Sequence, residues 1–312
     1  MTVRRVSVHS PLPAGVHVLE RGWLSSNNIL FLGGSETALV DSGYATHAAQ
    51  TLGLVERLLD GRSLDRLLNT HLHSDHCGGN AALQARYAGV STAIPPGEAE
   101  AVRLWDEDKL SYKATGQVCP RFSFDSLLQP GQEIELADAK WQIHAAPGHD
   151  PHAVLLHEPA SGVLISGDAL WEKGFGIVFP EMWGEPSFGE VAATLDLIES
   201  LNPRCVIPGH GRYFGDVPKA LAIARERLDA FIGSPEKHAR HAVKVLIKFK
   251  LLEVRKMTFS QLAAWLAAAA YMEQIRQRFA ADRTLTQWSE ELMAELARSG
   301  AVRFEDRMVY DA

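Results

Sequence analysis

The stretch Thr70-His71-Leu72-His73-Ser74-Asp75-His76-Cys77-Gly78-Gly79-Asn80 places three histidines and an aspartate within six positions, directly after an apolar run. Imidazoles and carboxylates are ligands for divalent metals, and such a polar concentration beside a buried strand is costly unless something binds it. The order is H-x-H-x-D-H, not the H-E-x-x-H in which both histidines share one face of a helix. Ligands from a strand end and the loop beyond it can point at two different ions. The chemistry this implies is two-metal hydrolysis.

Three later segments repeat the logic, each an apolar run that ends in a potential ligand. Residues 141–146 lead into Pro147-Gly148-His149, 163–166 into Gly167-Asp168, and 205–207 into Pro208-Gly209-His210. If four strand ends converge on one edge of a fold, five histidines and two aspartates suffice for two ions. One would be held by His71, His73 and His149 and the other by Asp75, His76 and His210, with Asp168 bridging. Histidines satisfied only by backbone hydrogen bonds are a poor account of four converging segments. His17, His144, His152 and His157 are read as non-ligands, although His152 is close enough to His149 to touch substrate. Cys77 reads as a small buried residue.

The elements that must position these residues follow from periodicity. Residues 15–41 read as a β-meander with strands over 16–19, 28–32 and 37–40, and a Gly33-Gly34 turn. A helix is predicted over 46–59 from Leu52, Val55, Leu58 and Leu59, and a strand over 64–69 that delivers His71. Gly78 and Gly79 let the backbone turn into a helix carrying Leu83 and Tyr87, followed by a strand over 90–94. Residues 97–129, with Trp105, Tyr112, Phe122 and Phe124 among charges, read as a helical cap or substrate-side insertion. Further strands are expected near 134, 141–145, 154–156, 163–165 and 205–207. Ser187-Phe188-Gly189-Glu190 has capping-box spacing and opens a helix with Val191, Leu195, Ile198 and Leu201 on one face, stopped by Asn202-Pro203.

From Asp216 the pattern turns helical. Pro218 and Pro235 stand at first-turn positions, Thr258 and Thr284 are candidate N-caps, and Gly300 ends a helix with Leu285, Trp288, Leu292 and Leu296 on one side. Residues 302–304 and 308–310 flank Glu305-Asp306 like a hairpin. Two domains are expected, 1–215 carrying the ligands and 216–312 a smaller helical domain. Helices followed by a hairpin fit a winged-helix module; the hairpin serves equally as a homodimer surface.

The chain of 312 residues carries a net charge of -7 and the apolar and charged fractions of an ordinary globular protein. The charge is uneven, with roughly 15 basic against 25 acidic residues before Asp216 and 16 against 13 from Asp216 onward. That surplus is small for a nucleic-acid footprint. Residues 1–23 hold no apolar run of signal-peptide length, and 262–271, the most apolar later stretch, is too short to span a bilayer. Cys77, Cys119 and Cys205 are odd in number and scattered, which argues against a disulfide framework. A soluble cytoplasmic protein without a membrane partner is expected.

Taken together, the motifs resemble the metallo-β-lactamase-fold hydrolases over about residues 10–215. The resemblance implies a four-layer αββα sandwich, an α/β architecture with the metals at one edge of two facing sheets. It maps the family's five motifs onto Asp41, the 71–76 cluster, His149, Asp168 and His210. Where the β-lactamases carry a cysteine this chain has Asp168, which argues against antibiotic hydrolysis. The full aspartate and histidine set is similar to the glyoxalase II, lactonase, phosphodiesterase and tRNA-processing branches. Adding the helical C-terminal part, the chain resembles the lactamase-β-2-like family and, more loosely, glyoxalase II, without a match to that enzyme's glutathione-binding basic residues.

On this reading Asp75 is catalytic as well as a ligand, orienting the attacking water or passing its proton to the leaving group. Asp41 accepts hydrogen bonds that fix the ligand loop. Nitrogen and carboxylate donors suit zinc, with iron and manganese also compatible. Trp171, Phe175, Phe179 and Trp183, in the loop after Asp168, are candidate substrate contacts together with His152. The favoured substrate is a small-molecule ester, thioester or lactone. The alternative is an RNA or DNA phosphodiesterase gripping nucleic acid through Lys244, Lys248, Lys250, Arg255 and Lys256, although a solvated helix face explains that row more simply. A non-catalytic binding protein is disfavoured because no ligand position is missing.

Overall fold

The structure is a computed structural model that describes residues 12–306 and 308–312. Residues 1–11 of the stretch read for a leader, which are also the first residues of the 1–215 domain, lie outside the described residues. Among those described, no helix is long and apolar enough to cross a membrane.

Two sheets face each other. The first runs in the order β1 (Val16–Leu19), β2 (Asn28–Phe31), β3 (Ala38–Val40), β4 (Arg66–Leu68), β5 (Ser91–Ile94) and β6 (Ser126–Leu127). The second holds β7 (Glu133–Leu136), β8 (Ala139–Ala145), β9 (Val154–Glu158), β10 (Val163–Gly167) and β11 (Cys205–Pro208), in the spatial order β11-β10-β9-β8-β7. Their strands read as unbroken apolar runs because both faces of each sheet are covered. Val163 and Ile165 point into the core between the sheets with Trp141, Phe31 and Val40, while Leu164 points the other way. Cys205 and Ile207 alternate with Val206 in the same manner, as the two-residue period of a strand requires. Behind the first sheet the helices Ala48–Leu59 and Asn80–Arg86 cover Leu39 and Leu67. Behind the second, Phe188–Leu201 and Val217–Ile232 cover Leu164 and Val206. The layers are therefore αββα.

Strand direction decides where the ligands go. β10 pairs parallel with β11, and β8 and β10 both pair antiparallel with β9, so β8, β10 and β11 end on the same side. In the other sheet β3 and β4 are parallel and end together. Asp41, His71, His149, Asp168 and His210 all follow such ends within a few residues.

One expectation needs correction. Ser187 does not cap its helix through its side chain; the Glu181 carboxylate instead accepts from the backbone N–H groups of Ser187 and Phe188, at 2.5 and 2.9 Å. A carboxylate delivered from an earlier turn satisfies the same orphan donors and adds a charge favoured at a helix N-terminus. The insertion over 97–129 holds only short helices, Ala99–Leu104 and Tyr112–Thr115, over a small core of Tyr112, Phe122, Cys119 and Cys77. Thr258 and Thr284 do form capping boxes, with Gln261 and Gln287.

The helix Val217–Ile232 shares a core with Val191 and Leu195, whereas the core of the following region begins at Ala239 and takes in Ile177 and Met182 from the loop after β10. That region consists of the helix Pro235–Val254, β12 (Lys256–Thr258), the helices Phe259–Ala268, Ala270–Phe279 and Leu285–Arg298, and the hairpin β13 (Val302–Glu305) and β14 (Met308–Asp311). Its sheet has the order β12-β14-β13.

His238 anchors this junction. It is fully buried, packs on Phe188 and Phe231, and accepts through Nε2 from the Val178 N–H at 3.3 Å. Burial, His241 and Arg227 push its pKa down to about 3, and burial with Arg227 pushes His241 down to about 4. Both are therefore neutral in the folded protein, while in the unfolded chain they take up protons below about pH 6.5. The unfolded state binds more protons in that window, so stability falls as pH drops from about 6.5 towards 4, by about 1.4 kcal/mol per pH unit for each histidine. A melting curve at pH 5 should lie clearly below that at pH 7.5. His238→Gln, which keeps an acceptor for Val178, should shrink the gap by the share of one such group, about 2 kcal/mol between pH 7.5 and 5. An unaltered gap would remove His238 from the account.

Candidate metal centre

The structure brings the predicted residues into two adjacent groups. Donor atoms of His71, His73 and His149 lie within 4.8 Å of one another, and so do those of Asp75, His76, Asp168 and His210. Asp168 joins the groups: its Oδ2 is 3.6 Å from His149 Nε2 and 3.7 Å from His210 Nε2, and its Oδ1 is 3.4 Å from His76 Nε2. His210 Nε2 is also 3.1 Å from Asp75 Oδ2.

Neighbouring groups set the His76 and His149 rings by occupying the nitrogen that faces away. Asp41 Oδ2 lies 2.7 Å from His76 Nδ1, and Asp41 also accepts from the Thr70 N–H and hydroxyl at 2.9 and 2.8 Å. Asp41 thus ties the first ligand segment to His76. The Ile177 carbonyl lies 2.5 Å from His149 Nδ1, and Asp150 Oδ2 is 3.7 Å from His73 Nε2. The backbone closes the frame: Ser26 N–H donates to the Asp75 carbonyl, Asn27 N–H to that of Gly209, and Val154 N–H to that of Thr70.

Two features test whether metal ions fit. Buried Nε2 atoms of His71 and His76 have no hydrogen-bond partner, although both sit inside the clusters. Burial, with the neighbouring histidines, pushes His71 well below the usual range, and burial lowers His73 and His149 to about 4. These rings are neutral at physiological pH and present lone pairs. Burial works against charge on Asp168, yet His210 and His76 hold its pKa well down; Asp75 is likewise held down by its hydrogen bond to His210. Neutral imidazoles and ionised carboxylates are the protonation states that divalent ions require. Burial works against charge on His76, yet Asp41 and Asp168 raise its pKa well above the usual range, so it would have to give up its proton to an ion. The residues fit two ions.

The clusters lie on the floor of a cleft of about 1140 Å³, its open mouth included, lined by Trp23, His152, Trp171, Phe179 and Trp183 among others. Phe175, expected at the substrate mouth, is not there. It is 3% exposed and packs on Phe231 in the core behind the second sheet, because the loop turns its apolar side inward.

Trp171 lines the cleft but also has a structural bond. Its indole N–H donates to Asp168 Oδ1 at 3.1 Å, and its ring packs edge-on against His210 at 5.6 Å. Trp171→Phe keeps the ring and removes the donor. It should weaken metal binding about 10- to 100-fold, as loss of a hydrogen bond to a ligand does, measurable by competition with a chelator. Unchanged affinity would return Trp171 to the role of a wall.

Several lining residues escaped the sequence reading. Trp23 is 59% exposed and stacks on His210 at 5.4 Å with an interplanar angle of 11°. A lone aromatic in a polar segment carries no periodic signal. Glu98 and Asp150 line the same cleft, their pKa values raised by burial and that of Glu98 further by Asp150. Val245, Leu246 and Phe249 reach the cleft from the helix Pro235–Val254.

Residues 21–210 match the model of the metallo-beta-lactamase superfamily, and the chain belongs to it. A hydroxyacylglutathione hydrolase of Maricaulis maris is 31% identical over 127 residues, 39% of this chain and 42% of that protein. The chain thus spans less than half of that relative. The acyl-coenzyme A thioesterase MBLAC2 of Gallus gallus is 27% identical over 225 residues, 66% of this chain and 81% of that one. A metallo-beta-lactamase family protein from Thermus thermophilus aligns in structure with a TM-score of 0.54 at 21% identity, covering 97% of this chain and all of that one. A beta-lactamase domain protein from Burkholderia ambifaria gives 0.56 at 21%, over 96% and 94%. These two neighbours share the fold beyond the sandwich, into the helical C-terminal region. Within that superfamily membership, the chain carries His and Asp clusters able to hold a dinuclear metal site.

Proposed function

We propose that the protein hydrolyses a small-molecule thioester at a dinuclear centre held by His71, His73 and His149 on one side, Asp75, His76 and His210 on the other, and Asp168 between. The observation that carries this is a carboxylate joining two ligand groups on the floor of a deep, aromatic-walled cleft. The relatives named for thioester hydrolysis support the choice of thioester over ester or lactone. Zinc suits the donor set best, with iron and manganese as alternatives.

Ions bound there would make a water nucleophilic at neutral pH and polarise the acyl carbonyl. Asp75 is ionised and lies on the cleft floor, so it can accept a proton from the attacking water and return it to the departing sulfur. His210, 3.1 Å from Asp75 Oδ2, fixes which carboxylate oxygen is free to do so. Trp23, Trp171 and Phe179 narrow the approach and limit bulk water.

The nucleic-acid reading has lost its footing in the basic row. Lys244 pairs with Glu295, Lys248 and Arg255 with Asp311, and Lys250 with Glu253. Cations already neutralised by their own chain contribute little to phosphate binding. The strand order β12-β14-β13 after a helix supports a winged-helix arrangement for the last region, used as structure and not as a grip on nucleic acid.

The test is metal content on the purified protein, then turnover of a generic thioester and of a single-stranded RNA on the same sample. Two equivalents with thioester turnover alone is the expected result. RNA cleavage without thioester turnover, or no metal under replete conditions, would overturn the proposal.

A further inference from the structure

The walls of the cleft differ in chemistry. On one side, Phe179 packs against both His73 and His149, at 5.2 and 5.8 Å, and Trp183 stands beside it. The helix Pro235–Val254 completes that wall with Val245, Leu246 and Phe249. Trp183 is 42% exposed and Val245 38%, so two of the large apolar side chains left open to water face the same cleft. The insertion supplies Lys109, Ser111 and Gln117 to the lining, polar groups able to meet a carrier.

We infer that the acyl group of the substrate is large and apolar, a chain of roughly six carbons or more or an aromatic acyl group, seated against Phe179, Trp183, Val245, Leu246 and Phe249. The inference rests on the thioester reading and deepens it. A short hydroxyacyl group would leave Trp183 and Val245 in water and would bring a hydroxyl against carbon. A longer chain covers them, and each methylene removed from water favours binding by about three- to fourfold at full burial. The polar carrier, anionic in glutathione or coenzyme A conjugates, then falls towards Lys109, whose charge suits it. Because the helix bearing Val245 and Phe249 follows the sandwich in the chain, acyl preference is set jointly by the C-terminal region and the loop after β10 that carries Phe179 and Trp183.

The experiment uses the full-length, metal-replete protein and a series of thioesters on one carrier, N-acetylcysteamine, from acetyl to dodecanoyl. We expect kcat/KM to climb by about threefold per methylene over the first several carbons and then level off, giving an octanoyl-to-acetyl ratio above about 100. Val245→Asp, a change at a partly exposed position, should lower that ratio at least tenfold, and Trp183→Ala should lower it in the same direction. The Trp183 variant decides the matter if the Val245 variant fails to fold. A flat or falling profile, or an unchanged ratio in both variants, would overturn the inference while leaving thioester hydrolysis standing. Absence of turnover at every length, with two equivalents of metal bound, would overturn the thioester reading and the inference with it.

Discussion

Asp168→Asn should lower kcat/KM for a thioester by about 10³-fold or more, a loss of about 4 kcal/mol of transition-state stabilisation, and should take one metal equivalent with it. The reason lies in how one carboxylate is shared. Oδ2 stands between His149 and His210, one from each ligand group, while Oδ1 faces His76 and the Trp171 indole N–H. Asparagine has the same shape but no negative charge to offset two divalent ions. Its amide must also turn its NH₂ either towards the Trp171 donor or towards the metal side, and neither position welcomes a donor. Because the neighbouring histidines hold Asp168 ionised against the penalty of burial, its charge contributes to stability, and the variant should melt at a lower temperature as well. Metal analysis and a melting curve on the purified variant separate the cases. Two equivalents of metal with undiminished turnover would mean that Asp168 does not join the groups.

Much of this centre was legible because each ligand stands where an apolar run stops. The reading of 141–146, 163–166 and 205–207 as strand ends needed only local pattern, and the parallel pairing of β10 with β11 places Asp168 and His210 side by side. The H-x-H-x-D-H order was equally local. What could not be read was anything assembled from distant segments without a period of its own. Trp23 stacks on His210 from a loop almost two hundred positions earlier, and no residue type near it announces that contact. The helix Pro235–Val254 shows the same limit. Its lysines were read as a row because charges are conspicuous, yet their partners, Asp311 and Glu295, come from the hairpin and the preceding helix. Its Val245 and Phe249 face the cleft only because the whole C-terminal region folds back over the loop that carries Phe179 and Trp183. Phe175 marks the opposite error, since one of the four aromatics in that loop turns into the core while the other three line the cleft, and sequence order alone does not say which is which.

Gly209→Ala should abolish at least 99% of activity, a loss of about 10²-fold or more, without replacing a ligand or straining the backbone. The glycine immediately precedes His210, and its φ lies outside the left-handed region, so alanine is conformationally acceptable there. Space is the obstacle. A Cβ at this position would press on Asp168 Oδ1 and lie 2.7 Å from His76 Cε1 and 3.2 Å from the Gly167 carbonyl carbon. Gly209 cannot retreat easily, because its carbonyl accepts from Asn27 N–H and its own N–H donates to the Gly167 carbonyl. The carboxylate and the His76 ring must therefore move, and displacements on the ångström scale at reacting groups cost about 10²-fold in rate. Gly53→Ala is the matched control: it lies in the helix Ala48–Leu59 with nothing within 4 Å of an added Cβ, and should leave activity unchanged while adding up to about 1 kcal/mol of stability. Metal content distinguishes a displaced ligand set from a blocked cleft. Loss of metal together with turnover places the clash where the structure puts it, on Asp168 and His76. Full metal and full turnover in Gly209→Ala would mean that those two side chains do not lie against this glycine, and the bridging position of Asp168 would fall with it.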